Sequence, residues 1–297
     1  MISIVEKLLP FWTIGKNSFS TSLNHELTGI NVQSGFETIE TRDAAAYAKA
    51  TNSPEPSYME EGLCPPMFVT RFLMKPMKDI LLHPELRMNF LRMLHGEQTF
   101  IFHKTLKIGM RLQTSATLSA IRRTSAGEIA DISFELSDDQ GQLVVSGLSS
   151  FIVLSSEDKP PPTTENDEEE KQDRTDETRY SSREFETTKA QPEAYAAASR
   201  DNNPIHTSAI VARLAGLPGP IMHGLCTMAM TVNTLIAAYG GNDPGRLRSV
   251  SLRFRKPAFP GRRHKIHVIA TDQKLEFSVE DNRDRQVISR GLIEFGS

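Results

Sequence analysis

The sequence predicts an α+β protein built from two tandem copies of one unit, each a long central helix wrapped by an antiparallel sheet. An acidic, proline-bearing segment divides the 297-residue chain nearly in half. Three blocks of residues recur in the two halves in the same order. In the second half, an apolar helical pattern precedes short alternating runs bounded by turn residues, which is typical of a helix followed by an antiparallel meander.

The composition is that of an ordinary globular protein. Hydrophobic residues make up 38% and charged residues 24%, and the formal net charge of -3 gives no attraction to nucleic acid. No run approaches the about 18 apolar residues that a membrane-spanning helix needs. Cys64 and Cys226 lack a metal-type spacing, and the first residues lack a basic leader and a cleavage site. We therefore expect a cytoplasmic protein with no nucleic-acid or membrane partner.

The acidic segment belongs to neither unit. Residues 157–177 hold ten acidic and three basic residues, three consecutive prolines and no large apolar residue, which cannot support a packed core. We predict an N-terminal domain over residues 1–155, a flexible linker over 156–178 and a C-terminal domain over 179–297. The alternative is an acidic tether that contacts a basic surface of the same chain.

The sequence match between the two halves is weak in each block, but the blocks occur in the same order in both halves. The blocks with their counterparts are 46–58 with 194–206, 65–70 with 219–224, and 102–112 with 254–264. They place Tyr47 on Tyr195 and Pro66 on Pro220. The shifts are nearly equal, as a duplicated fold requires.

The predicted elements follow this repeat. Residues 190–199 form a short helix, and residues 220–239 form a longer one that ends at two glycines, with apolar positions recurring at threes and fours. Its counterpart covers residues 66–82, where Pro76 predicts a kink or an end. Strand-like runs such as "RLRSVSLRFR" and "HKIHVIATDQ" follow the second long helix.

Two short motifs carry candidate chemistry. The stretch "SRDNNPIHTS" places Asp201, Asn203, Pro204 and His206 on one loop. Turn formation explains the first three residue types, because Asn and Asp bond their own backbone and Pro fixes φ, but it does not call for the histidine. The second motif, "MHG", opens the longer helix.

These motifs, "YAAASRDNNPIH" and then "GPIMHGL", resemble the signature of the MaoC-like (R)-specific enoyl-thioester hydratases, also called hydratase 2. The resemblance covers residues 179–297 and implies a double hotdog fold with a catalytic C-terminal unit. The N-terminal half resembles the non-catalytic unit of double-hotdog dehydratases. In the alignment of the two halves, Ser53 takes the place of Asp201 and Tyr58 takes the place of His206, which implies one active site per chain.

The resemblance implies a hydro-lyase that interconverts 3-hydroxyacyl and 2-enoyl thioesters of CoA or acyl carrier protein, with no cofactor. Asp201 and His206 would hold a water and exchange protons with it, in an order the sequence leaves open; such groups contribute about 10²- to 10⁴-fold each. The Gly224 N–H, in the first turn of the central helix, would meet the charge on the thioester oxygen. Asn203 would orient the loop or the water.

Further residues are candidates for substrate binding. His223 either packs at the helix start or contacts substrate. Arg255 and Arg262 belong to a run, residues 244–271, with eight Lys or Arg residues and no acid. Such a run would attract CoA phosphates or an acidic carrier protein; the alternative is a sheet with basic solvent-facing positions.

Other readings remain open. A hotdog thioesterase would use Asp201 against the thioester carbon, and a non-catalytic acyl-binding subunit would need no acid-base pair; fold alone does not choose between them. His264 and His267 do not predict a metal site, because an odd separation on a strand sends the rings to opposite faces. Since one chain already supplies two hotdog units, we expect a monomer or a homodimer.

Overall fold

The computed structural model describes residues 20, 22–53, 57–90, 92–155, 180–271 and 274–296. Within these ranges, one antiparallel sheet of eleven strands curves around the long helices. The predicted linker, residues 156–178, lies outside the described residues, so the domain boundaries stay a prediction. No helix among the described residues is long and apolar enough to cross a membrane.

The elements of the N-terminal half are β1 (Asn31–Gln33), β2 (Glu37–Thr38), α1 (Thr41–Ala50), α2 (Ser57–Glu60), α3 (Thr70–Leu81), β3 (Met93–Phe102), β4 (Arg111–Thr124), β5 (Gly127–Asp138) and β6 (Leu143–Leu154). Those of the C-terminal half are β7 (Tyr180–Glu186), α4 (Gln191–Ser199), α5 (Ala209–Leu214), α6 (Gly224–Tyr239), β8 (Leu247–Phe254), β9 (Arg263–Ala270), β10 (Lys274–Asp281) and β11 (Gln286–Phe295). Short 3₁₀ turns include Pro66–Val69, which leads into α3, and Pro204–His206.

The strand order confirms the duplication. The halves join through the antiparallel pair β3 and β8, in which Glu97 lies opposite Arg253. Outward from this seam the order is β6, β5, β4, β1 on one side and β11, β10, β9, β7 on the other. Each strand thus has its counterpart at the same distance from the seam, and the predicted pair of sheet-wrapped helices is confirmed.

Helix α6 is buried all round rather than along one stripe. Eleven of its sixteen residues are buried, because the sheet covers one side and the N-terminal half covers the other. Its hydroxyl side chains bond within the helix, as when Thr231 donates to the Thr227 carbonyl at 2.9 Å. Asn233 reaches across the halves and donates to the Thr51 carbonyl at 3.1 Å. The helix begins at Gly224, four residues later than predicted, and ends before Gly240 as predicted.

Pro76 does not end α3, which continues to Leu81. A proline inside a helix leaves the carbonyl four residues earlier without its N–H partner. Here that carbonyl belongs to Phe72, and it accepts a hydrogen bond from the buried Thr114 hydroxyl at 3.2 Å. A strand residue therefore compensates the bond that Pro76 removes.

The two short helices α1 and α4 meet at the centre of the molecule. Tyr47 and Tyr195, which the repeat aligns, are both fully buried with ring centroids 5.6 Å apart. The Thr70 hydroxyl lies between them, 3.1 Å from one phenol oxygen and 3.4 Å from the other. Thr70 is the first residue of α3, as Gly224 is of α6, so one tyrosine from each half packs at the start of the long helix of the N-terminal half.

Candidate active site

The Asp201 loop begins where α4 ends. Arg200 closes the helix in the left-handed conformation, with φ of 67°. A non-glycine residue there costs about 1–2 kcal/mol, so its surroundings must hold it. Its guanidinium pairs with Glu37, and its carbonyl accepts a hydrogen bond from Lys78 Nζ at 2.9 Å. Both partners come from the N-terminal half.

Local hydrogen bonds fix the loop itself. The Asp201 N–H donates to the buried Ser199 hydroxyl at 3.1 Å, and Asp201 Oδ1 accepts the Asn203 N–H at 3.3 Å. Asn203 Oδ1 accepts the Ile205 N–H at 3.2 Å and so caps the turn Pro204–His206. Asn203 therefore orients the loop, while its contact with a catalytic water stays a prediction.

Contacts with backbone carbonyls indicate which ring nitrogen of each site histidine carries the proton. His206 Nδ1 lies 3.0 Å from the Ile221 carbonyl oxygen, so neutral His206 carries its proton there and its Nε2 is left to accept one. His223 Nε2 donates to the Asp201 carbonyl at 3.0 Å. His223 is only 1% exposed, and among the described residues its Nδ1 has no hydrogen-bond partner. Its contact with substrate stays a prediction.

The predicted residues converge. One oxygen or nitrogen from each of Asp201, His206 and His223 lies within 4.8 Å of the others. Burial by itself raises the pKa of Asp201, but His223, His206 and Lys78 outweigh it and hold that pKa below its usual value. Burial lowers the pKa of His206 despite the nearby Asp201 charge, and it lowers the pKa of His223 to about 3. At neutral pH the loop therefore holds a carboxylate beside a neutral imidazole.

These three groups are also the candidate ligands for a metal ion, but the rings are poorly placed for one. The His206 and His223 rings stack with centroids 3.7 Å apart and planes 27° apart. An imidazole binds a metal in its own ring plane at about 2.0–2.1 Å. Planes this nearly parallel do not meet at that distance, so both rings would have to rotate. The arrangement as it stands suits water and proton exchange.

Gly224 supplies the start of α6. His223, the residue before it, makes no side-chain cap, and the first N–H groups of a helix have no acceptor within it. A Cβ on Gly224 would lie 3.1 Å from the Phe254 ring. The glycine therefore lets an aromatic ring close over the helix start while its N–H stays available to an anionic oxygen.

The N-terminal half supports the site through residues that the sequence did not single out. The Arg71 side chain, on α3, donates to the Ala198 carbonyl and to Asp43, each at 2.7 Å. Lys78, two turns later on the same helix, holds the carbonyl next to Asp201. His95 on β3 is close enough to Asp201 for the carboxylate charge to oppose the lowering of the His95 pKa by burial. The sequence signal that could have pointed to His95 is the glycine that follows it, because a glycine inside a strand suggests a bulge.

The basic run is less uniform than its sequence suggests. Arg253 pairs with Glu97, Arg263 pairs with Glu186, and Arg262 Nη1 donates to Asp281 at 2.5 Å. Neighbouring strands thus bring acids that the run itself lacks. Arg255 is exposed and directly follows β8, next in the chain to Phe254, whose ring covers Gly224. Substrate binding by Arg255 and Arg262 stays a prediction.

His264 and His267 face opposite sides of the sheet, as predicted. His264 is fully buried, with its ring stacked on Phe185 at 4.9 Å. His267 lies on the other face, where its ring nitrogens contact Tyr180 and Glu280. The two rings cannot share a metal ion.

Buried His264 predicts acid sensitivity of the fold. Burial lowers its pKa to about 4, although Asp281 opposes the shift. The unfolded chain binds this proton below about pH 6.5 and the folded chain does not until about pH 4, so the free energy of unfolding falls as the pH drops through that window. When the pH drops from 7 to 5, we expect the free energy of unfolding to fall by about 2 kcal/mol less in His264→Phe than in the wild type. Each unit of pKa corresponds to about 1.4 kcal/mol. Urea unfolding at both pH values measures this; equal pH dependence in the variant and the wild type would contradict it.

Two family models match the chain. Residues 170–289 match the MaoC like domain, and residues 26–146 match the FAS1-like dehydratase domain region. The resemblance to the MaoC-like dehydratases is thus confirmed over residues 170–289. The MaoC-like match contains Asp201, His206 and Gly224, and the second match covers most of the N-terminal half.

Relatives and solved structures agree with this placement. The chain is 26% identical over 216 residues to peroxisomal multifunctional enzyme type 2 of Drosophila melanogaster, covering 72% of this chain and 36% of that protein. It is 35% identical over 104 residues to 3-hydroxyacyl-thioester dehydratase Y of Mycobacterium tuberculosis, covering 33% of this chain and 36% of that protein. The chain thus spans about a third of the length of these two relatives.

Two solved structures establish the fold. The crystal structure of a MaoC-like dehydratase from Phytophthora capsici matches with a TM-score of 0.74 and 21% identity, covering 91% of this chain and 97% of that one. A Mycobacterium tuberculosis protein described as a double hotdog matches with a TM-score of 0.59 and 13% identity, covering 91% and 96%. The chain has a double hotdog fold, as predicted.

Proposed function

We propose that the chain is a hydro-lyase that interconverts 2-enoyl and (R)-3-hydroxyacyl thioesters. The observation that carries this proposal is the pairing of an ionised Asp201 with a neutral His206 on one loop, beside the open start of α6. The family supports the same reaction class, and one relative bears the name 3-hydroxyacyl-thioester dehydratase.

Each group has a defined task in this reaction. Asp201 and His206 Nε2 both accept hydrogen bonds, so a water between them points one O–H at each. In hydration, one of the pair takes a proton while the water oxygen bonds to C3 of the enoyl thioester. The electrons of the double bond then reach the thioester oxygen, where the Gly224 N–H and the N-terminus of α6 stabilise the negative charge. A proton returned to C2 completes the addition, and dehydration reverses these steps.

The test against the thioesterase alternative uses crotonyl-CoA. Hydration removes the enoyl absorbance and leaves the thioester bond intact, whereas hydrolysis releases a thiol that reacts with a disulfide reagent. We expect absorbance loss without thiol release. Release of thiol at the rate of absorbance loss would favour the thioesterase.

The pKa directions predict the pH profile of kcat/KM. The active form needs ionised Asp201 and neutral His206, and both pKa values lie below their usual ranges. As the pH falls, activity persists until His206 takes up a proton, so the acid limb should lie below pH 6.5. Initial rates with crotonyl-CoA between pH 5 and 9 measure this, and an acid limb centred near pH 7 would contradict it.

The substrate carrier is proposed to be CoA or an acyl carrier protein held in part by the basic run. Arg262 lines a surface depression of about 410 Å³ together with Thr187 and Arg263, although its charge already pairs with buried Asp281. Arg255 is the better probe, because Arg262→Glu would set two carboxylates against each other.

We expect Arg255→Glu to raise KM for crotonyl-CoA at least about threefold with little change in kcat, because it repels the CoA phosphates. Crotonyl-pantetheine, which lacks the nucleotide, should be unaffected. Arg42→Glu, at an exposed position of α1 that is 92% accessible, is the matched charge reversal and should leave both KM values unchanged. Equal loss on both substrates would show that Arg255 serves the fold instead.

Cellular location and assembly stay predictions. The Drosophila relative is named peroxisomal, whereas we expect this chain in the cytoplasm. The seam between β3 and β8 already pairs two hotdog units, which supports a monomer or a homodimer of whole chains.

A further inference from the structure

We propose that His95, from the N-terminal half, donates a hydrogen bond to the thioester carbonyl oxygen together with the Gly224 N–H. This inference rests on the proposed function and adds a residue to its machinery. It would make the active site a joint product of both hotdog units, although only one carries the acid-base pair.

A β-bulge turns His95 inward. On the β6 side, His95 pairs with Phe151 and Glu97 pairs with Ser150, which leaves Gly96 without a partner in the ladder. An extra residue of this kind shifts the alternation of the strand and re-aims the side chains beside it. Leu94 accordingly points outward and is 45% exposed, so the next residue faces the interior.

The His95 ring lies against the residues that cover the start of α6. It stacks on Phe151 with centroids 4.6 Å apart, and it contacts Phe254 at 4.9 Å. The Phe254 ring in turn covers Gly224. A single aromatic ring therefore contacts both His95 and the proposed oxyanion glycine.

His95 has an unused hydrogen-bonding atom in this environment. Its Nε2 is buried and has no hydrogen-bond partner among the described residues. An unsatisfied buried polar atom costs about 1–3 kcal/mol, and a substrate carbonyl arriving beside Phe254 would satisfy it.

The charge state of His95 also suits the role. Burial lowers its pKa to about 4, although the Asp201 charge, the Glu97 backbone and the Gln98 side chain act the other way. His95 is therefore neutral at working pH. A neutral imidazole can polarise a carbonyl without adding a positive charge that would attract Asp201 away from the water.

The first test compares three variants with crotonyl-CoA. His95→Phe keeps the aromatic packing and removes the donor, while His95→Gln places an amide N–H near the position of Nε2. We expect His95→Phe to lower kcat at least about tenfold with KM changed by less than about threefold. His95→Gln should stay within about threefold of wild type. Wild-type kcat in His95→Phe, or equal loss in both variants, would overturn the proposal.

The matched control is His264→Phe. His264 likewise has buried ring nitrogens without a partner among the described residues and stacks on a phenylalanine, but the carboxylate that acts on its pKa is Asp281 and not Asp201. Its variant should keep the wild-type kcat. If His264→Phe lost as much activity as His95→Phe, loss of a buried imidazole in general would explain both results and the proposal would fail.

A binding measurement tests the donor without turnover. A dimethylaminocinnamoyl-CoA probe absorbs at longer wavelength when its carbonyl is polarised, so we expect a red shift on the wild type that His95→Phe diminishes and His95→Gln restores. If His95→Phe does not fold, comparison of His95→Gln with His95→Asn, whose shorter amide cannot reach as far, decides the same question. An unchanged shift in the variants overturns the His95 proposal even if hydration is observed. A wild type that shifts the probe but does not hydrate crotonyl-CoA contradicts the proposed function instead.

Discussion

Asp201→Asn and His206→Gln should each lower the hydration kcat at least about a hundredfold. Both groups handle the same water and the same proton, so removing either one leaves the other without its partner. For the same reason, the double variant should lose little more than either single variant. Steady-state rates with crotonyl-CoA and thermal unfolding of all three proteins measure this prediction.

The fold should survive these substitutions. Asp201 Oδ1 accepts the Asn203 N–H, and the side-chain oxygen of an asparagine at position 201 can still accept it. His206 Nδ1 donates to the Ile221 carbonyl, and the side-chain amide of a glutamine at position 206 can still donate to it. More than about a tenth of wild-type kcat in either single variant would contradict the assignment. So would a double variant whose loss is the product of the two single losses.

Lys78→Met should lower kcat about tenfold and should move the protonation of Asp201 to higher pH. The ammonium holds the Arg200 carbonyl at 2.9 Å, and its charge helps to keep the pKa of Asp201 low. A hydrogen bond to a charged group contributes about 1.5–3 kcal/mol, which corresponds to about tenfold or more. Because Lys78 lies in the other half, this variant tests whether the first hotdog positions the catalytic loop.

Lys75→Met is the matched control for Lys78→Met. Lys75 lies on the same helix, where it pairs with Asp79 at 2.6 Å and is 71% exposed. Exposed pairs of this kind contribute little, so its variant should keep the wild-type kcat and pH profile. If Lys78→Met behaved like this control, the catalytic loop would hold its geometry without the N-terminal half.

The local parts of the site could be predicted from sequence. Asp201 and His206 share one loop, and Gly224 opens the next long helix, α6, so their meeting needs only a short motif and a helix start. The aligned tyrosines, Tyr47 and Tyr195, meet at the centre for a similar reason, because a duplicated unit pairs equivalent elements.

The rest depends on contacts between distant parts of the chain. The catalytic loop lies far along the sequence from His95 and Lys78, and no periodicity tells which distant loop a strand or helix will contact. The basic run looked uniformly positive because the acids that pair with it, such as Glu97 and Asp281, lie on other strands. Pro76 suggested a helix end because the compensating hydroxyl, that of Thr114, comes from a strand about forty residues away.

The central claim is that water held by Asp201 and His206 adds to C3 of an enoyl thioester. Incubation of the wild type with crotonyl-CoA in ¹⁸O-labelled water, followed by mass spectrometry and chiral separation of the product, tests it most directly. We predict an intact (R)-3-hydroxybutyryl thioester with one labelled oxygen at C3, formed far more slowly by Asp201→Asn. Label in the carboxylate of free crotonic acid, or a labelled product of opposite chirality, would contradict the proposed reaction.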